Sequence, residues 1–234
     1  MTNIPPFHLL ASLICGDPLA LRSEIIELEK GGIDGIHFDV MDGQFVPRLG
    51  LYPEYLKAVK GSTNLPVDLH LMIENPEDSI PAFIRAGVTT SDVVVIHAES
   101  TKHLHYAVKS VRDAGYQAGV ALNPATPLSA LEYVLPDIER VMLMAINPGI
   151  LGHKLIPDMI RKIKDMKAML AYYPHVHIEV DGGVSPESAA TMIRAGADML
   201  VCGTSAIYKK DRSLVETITE FRANIDAELT KQVV

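Results

Sequence analysis

Residues 19–41 read Leu-Ala-Leu-Arg-Ser-Glu-Ile-Ile-Glu-Leu-Glu-Lys-Gly-Gly-Ile-Asp-Gly-Ile-His-Phe-Asp-Val-Met. The first part spaces its apolar residues as an amphipathic helix does and ends on Lys30, Gly31 and Gly32. A cation suits the negative end of a helix dipole, and glycine suits the left-handed exit from a helix. The last part, Gly35–Met41, is a β-prone run. This unit of helix, glycine exit and strand recurs along the chain.

Working outward, strands are predicted at His8–Cys15, Gly35–Met41, Val67–Met72, Asp92–His97, Gln117–Leu122, Arg140–Ile146, His175–Asp181 and Asp198–Cys202. Helical patterns alternate with them at Leu19–Lys30, Pro53–Val59, Asp78–Ala86, His103–Ala114, Pro127–Val134, Pro157–Ala171, Pro186–Ala195 and about Ser213–Leu229. Several strands are near-continuous apolar runs, as parallel strands covered on both faces are. Eight such units predict an α/β fold, a single-domain (β/α)₈ TIM barrel over residues 1–234. The rival is a doubly wound open sheet, but no Gly-x-Gly-x-x-Gly follows the first strand.

A formal charge of −8 without a strong basic cluster argues against nucleic acid as a partner. No run approaches the roughly 18 apolar residues that span a bilayer, so no membrane is expected. Residues 1–7 lack a positively charged leader pattern, and a cytoplasmic location is the expectation. Cys15 and Cys202 are too few for a disulfide framework and are read as reduced core thiols on the first and last strands.

His37 and Asp39 sit two apart in a strand and therefore share a face. His70 lies near the end of the third strand, and Asp181 closes the seventh. In a barrel, catalytic groups gather at these C-terminal strand ends. Two imidazoles and two carboxylates there look like a site for a divalent ion such as Zn²⁺, Fe²⁺, Mn²⁺ or Co²⁺. Removing a proton next to a ketone needs a base and charge stabilisation, and inverting the carbon needs a second acid/base group on the opposite face. Asp39 and Asp181, from strands two and seven, suit that pair. Asp42, ahead of Gly43, is read as a loop cap. His97 with Glu99 is read as a structural network, and His103 and His105 as surface or packing residues.

From about Ser12 to Tyr208 these motifs resemble the ribulose-phosphate 3-epimerase family. The resemblance implies that His37, Asp39, His70 and Asp181 hold one divalent metal ion, with Asp39 and Asp181 as acid and base. Met41, Met72 and Met144 stand where the family has methionine, and imply an apolar wall against an enediolate. Ser12 matches a first-strand serine that reaches the substrate or a metal ligand. The turns carrying Gly182, Gly183, Gly203, Thr204 and Ser205 would grip a sugar phosphate, with Gly149 and Gly152 in the covering loop. A homo-oligomer is also implied.

The covering loop departs from the family pattern: Ile150, Leu151 and His153 replace its usual Phe, Gly or Ala, and Gln. His153 is read as a hydrogen-bonding stand-in for that glutamine. The turn Gly203-Thr-Ser-Ala-Ile-Tyr208 is one residue longer than usual and resembles relatives acting on allulose 6-phosphate, as does Cys15. The expected reaction is D-ribulose 5-phosphate to D-xylulose 5-phosphate. The alternatives are D-allulose 6-phosphate to D-fructose 6-phosphate, or a non-catalytic sugar-phosphate-binding paralogue.

Overall fold

The structure, a computed structural model, describes residues 6–150 and 153–231. Its strands are β1 (His8–Ser12), β2 (Gly35–Met41), β3 (Val67–Met72), β4 (Val93–His97), β5 (Gln117–Leu122), β6 (Arg140–Met144), β7 (His177–Asp181) and β8 (Met199–Cys202). All pair in parallel and in chain order, and β8 returns to β1, so the sheet closes into the predicted barrel. The helices are α1 (Leu21–Gly31), α2 (Pro53–Lys60), α3 (Ile80–Arg85), α4 (Leu104–Asp113), α5 (Met159–Met169), α6 (Ala189–Ala195) and α7 (Leu214–Thr230).

One expected helix is absent. Between β5 and β6, Pro127–Val134 forms no α-helix; 3₁₀ turns at Leu128–Leu131 and Leu135–Asp137 make the crossover. Pro136 supplies no N–H and disfavours helical backbone at Leu135, leaving too short a run to hold an α-helix. Several strands are also shorter than expected. β1 stops at Ser12, where Gly16 N–H bonds back to Leu13 C=O and the chain turns. Cys15 therefore lies in that turn, half-buried at the barrel mouth, whereas Cys202 is buried on β8; both are free thiols.

Alternation along the strands makes two separate cores. Outward side chains such as Phe38, Leu69, Ile96 and Ile178 pack against the helices. Fully burying each such side chain contributes about 1.5–3 kcal/mol. Inside the barrel, Val93, Val95, Ala121, Met142 and Met144 form a smaller apolar cluster on the β4–β6 side. Across from it the interior is polar, holding His37, Asp39, Asp68, His70 and Glu179, all buried. Gly119 keeps the two halves compatible: a Cβ there would come within 3.1 Å of Arg140 Cβ and 2.9 Å of Val95 Cγ2. α7 starts with a capping box between Ser213 and Glu216, and its Arg222 bonds Asp34 at 2.6 Å, tying the last helix to the α1–β2 loop.

Candidate metal centre and substrate mouth

Strand register assembles the polar half. His37 stands beside Asp68, and Asp39 beside His70, across the β2–β3 ladder. Asp181 ends β7 next to Met144 of β6. Four donor atoms converge at the C-terminal end of the barrel: His37 Nε2, Asp39 Oδ1, His70 Nδ1 and Asp181 Oδ2. His37 Nε2 lies 3.2 Å from Asp39 Oδ1, 3.3 Å from His70 Nδ1 and 3.9 Å from Asp181 Oδ2. His70 Nδ1 lies 3.6 Å from Asp39 Oδ1 and 3.7 Å from Asp181 Oδ2. A tetrahedral ion roughly 2.0–2.1 Å from each donor sets those donors about 3.3 Å apart. The cluster is close to that size. Its donor set fits one divalent metal ion.

The outer ring nitrogens are also engaged, as ligand imidazoles require. His37 Nδ1 bonds Asp68 Oδ2 at 2.6 Å, and His70 Nε2 faces His97 Nε2 at 2.8 Å. Beneath His37, Arg140 donates to Glu179 at 2.9 Å, while Glu179 Oε1 lies 3.3 Å from His37 Nδ1. Asp68 Oδ1 and Glu179 Oε1 are buried oxygens without another partner. A proton shared between these two carboxyl groups satisfies both.

Proton positions follow from the charges. Burial opposes a charge on His37, yet Asp39 and Asp68 hold its pKa well above the ordinary imidazole value. Burial would raise Asp39, but His37 and His70 keep it below the usual carboxylate range. Asp181 is pushed up to about 7 by burial, with Asp39 and Glu179 adding to the rise. Asp68 rises through burial and the Glu179 charge, whereas Glu179 is held low by Arg140 and His37 against its own burial. Burial lowers both His70 and His97, the latter to about 4. These shifts favour a proton on His37 and place Asp181 close to its titration point near neutral pH.

A cavity of about 600 Å³ opens over this cluster. Ser12, Asp39 and Asp181 line it, and Ser12 Oγ donates to Asp39 Oδ2 at 2.8 Å. Met41, Met72 and Met144 line it too, and Met41 and Met72 pack with Val46, Ile14 and Phe45. On the far side lie the turns carrying Gly182, Gly183, Gly203, Thr204 and Ser205. The N–H groups of Gly183 and Ser205 donate to no protein acceptor among the described residues. Lys209 Nζ holds the carbonyls of Thr204 and Ser205 at 3.2 and 2.8 Å. At Gly183, φ is +66° and a Cβ would come within 2.8 Å of Leu155, so the turn accepts only glycine without strain. Gly149, Ile150 and His153 reach the same cavity, with His153 exposed at its rim. Gly152 and Leu151 lie outside the described residues.

Sequence reading missed Asp68 and Arg140, which act beneath the cluster, and Arg48 and Lys154, which add cations to the cavity wall. Asp68 had a signal: it shares the His70 face of an otherwise apolar strand. Asp42 is the loop cap expected of it, its Oδ1 accepting from Gln44 and Phe45 N–H at 2.8 and 2.9 Å. His103 and His105 are exposed.

A parallel eightfold barrel with a His₂Asp₂ cluster facing a glycine-lined, cation-edged cavity defines a barrel protein equipped to handle a small anionic ligand beside a metal ion. The chain belongs to the ribulose-phosphate 3 epimerase family, whose model matches residues 8–208. It is 44% identical over 215 residues to "Ribulose-phosphate 3-epimerase" of Bacillus subtilis, covering 91% of this chain and 97% of that one. It is 43% identical to the chloroplastic "Ribulose-5-phosphate-3-epimerase" of Arabidopsis thaliana, covering 86% of this chain and 71% of that one. Among solved structures, a 3-hexulose-6-phosphate synthase superposes with a TM-score of 0.69 at 17% identity, covering 93% and 99% of the two chains. That likeness concerns the fold alone. Among the described residues no helix is long and apolar enough to cross a membrane.

Proposed function

We propose that this chain interconverts D-ribulose 5-phosphate and D-xylulose 5-phosphate by inverting C3 through an enediolate. The observation that carries the reading is that two carboxylates, Asp39 on β2 and Asp181 on β7, line one cavity. His37, Asp39, His70 and Asp181 would hold one divalent ion, of the Zn²⁺, Fe²⁺, Mn²⁺ or Co²⁺ class. When bound, that ion supplies fixed positive charge against the developing enediolate.

The chain's own groups supply the proton transfers. Asp39, held ionised and oriented by Ser12, accepts the C3 proton on one face. Asp181 returns a proton on the other face, and the reverse reaction exchanges the roles. The three methionines exclude water from the planar intermediate. Gly183, Gly203, Thr204 and Ser205 hold the phosphate through backbone N–H groups and hydroxyls, with Gly182 shaping the turn and Gly149 in the covering loop. The reading includes a cytoplasmic location and assembly with identical copies, for which the exposed Leu19, Leu49 and Tyr52 offer apolar surface.

A coupled assay of metal-loaded protein tests the substrate. D-Ribulose 5-phosphate is expected to turn over with at least about 10-fold higher kcat/KM than D-allulose 6-phosphate, a difference of about 1.4 kcal/mol. Turnover of the hexulose phosphate alone would reassign the substrate. Failure with both would make the chain a binding paralogue.

A further inference from the structure

His97, the last residue of β4, is buried and lies outside the four-donor cluster. Its ring lies nearly parallel to that of His70, with centroids 4.9 Å apart and planes 23° apart, and the Phe45 ring lies 4.8 Å away. Its Nε2 is 2.8 Å from His70 Nε2, and its Nδ1 is 3.2 Å from Glu99 Oε2.

These contacts fix the protons by elimination. A ligating His70 presents an unprotonated Nδ1 to the ion, so its proton is on Nε2. That N–H meets His97 Nε2, which must accept. A neutral His97 then carries its proton on Nδ1 and donates it to Glu99. Glu99 is itself anchored: its Oε1 accepts from Asn123 N–H at 2.8 Å and from the Thr126 hydroxyl. Lys162 Nζ grips the same turn from α5, donating to the carbonyls of Asn123, Pro124 and Thr126 at 2.8, 3.1 and 2.7 Å. The path from Glu99 to His70 thus runs in one direction and starts from a rigid anchor.

We propose that His97 and Glu99 are positioning residues for the metal, locking His70 as its Nε2–H tautomer with Nδ1 aimed at the ion. The proposal rests on the reading of His70 as a ligand. His37 receives the equivalent support from the Asp68 carboxylate directly, whereas His70 receives it through an intervening imidazole. Glu99→Gln sets an amide N–H in place of an accepting oxygen and disturbs the whole path. His97→Phe keeps the flat ring and deletes the acceptor. His97→Gln restores an acceptor carbonyl.

The test uses the full chain loaded with Zn²⁺, in competition with a chromophoric chelator, together with ¹⁵N-histidine NMR. Wild type is expected to show His70 protonated on Nε2 and His97 on Nδ1. Glu99→Gln is expected to weaken Zn²⁺ binding about 10-fold and His97→Phe up to about 100-fold, with His97→Gln recovering part of the loss. A merely structural role would lower the melting temperature and leave tautomer and affinity unchanged. His97 protonated on Nε2, or wild-type affinity in both Glu99→Gln and His97→Phe, would overturn the proposal. If His97→Phe fails to fold, Glu99→Gln decides. His70→Ala separates the levels: Zn²⁺ held as tightly as in wild type would remove His70 from the ligand set and take the proposal with it.

Discussion

The His₂Asp₂ cluster and the glycine-bearing turns share one mouth but are made from different parts of the chain. The cluster uses side chains on β2, β3 and β7, whose positions the barrel's hydrogen-bond register fixes. The turns after β7 and β8 use backbone N–H groups, whose positions depend on local dihedrals such as the +66° φ of Gly183. The first half is buried and dense with charge; the second is open and glycine-bearing. The proposed proton chemistry and the proposed phosphate grip therefore rest on separate parts of the barrel. Of the altered covering-loop residues, Ile150 and His153 line the cavity, and the four donors are intact.

Perturbing each half should move a different observable. Removing the ion with a chelator is expected to cut turnover by at least about 10³-fold, since several kcal/mol of charge stabilisation go with it. At 1,000-fold excess over its Kd the ion adds about 4 kcal/mol to stability, so the melting temperature should fall by roughly 10 °C on stripping. Full activity after verified removal would break the comparison at its base.

Metal affinity should depend steeply on pH. His37 and Asp181 both have raised pKa values in the ion-free cluster, Asp181 reaching about 7, so both hold protons at low pH that a cation must displace. Affinity therefore rises with pH, approaching about 100-fold per unit below about pH 6 and less steeply once Asp181 has ionised. Competition titrations across that range read the slope. A flat profile would contradict the proton positions assigned to the cluster.

Gly183→Ala tests the other half. It forces alanine into left-handed backbone, at about 1–2 kcal/mol, against Leu155. KM for the phosphorylated substrate should rise about 10-fold while Zn²⁺ affinity stays unchanged. Loss of metal affinity in this variant would mean that the two halves are not separable.

The same division explains what the sequence makes legible. His37 and Asp39 are readable because period-two spacing and side-chain chemistry coincide, and the fold is readable because the helix–glycine–strand unit recurs. Asp68 is harder to find, since its partner His37 lies on the neighbouring strand and only the register joins them. Arg140 and the space that Gly119 leaves for it depend equally on cross-strand register. His97 reads with Glu99 as a structural network, and only the three-dimensional contact joins it to His70. The absent helix at Pro127–Val134 has a local cause, because helical spacing there outweighed the nearby Pro136. Backbone grips are hardest of all: every residue but proline carries an N–H, so the turns after β7 and β8 stand out only through glycine.

The most direct measurement is proton exchange at C3, followed by NMR in D₂O with metal-loaded protein and D-ribulose 5-phosphate. The account predicts incorporation of deuterium at C3 together with formation of D-xylulose 5-phosphate. Both should fall by at least about 10²–10⁴-fold in Asp39→Asn and in Asp181→Asn. Undiminished epimerisation in either variant, or product formed with the original C3 proton fully retained, would contradict the two-carboxylate reading.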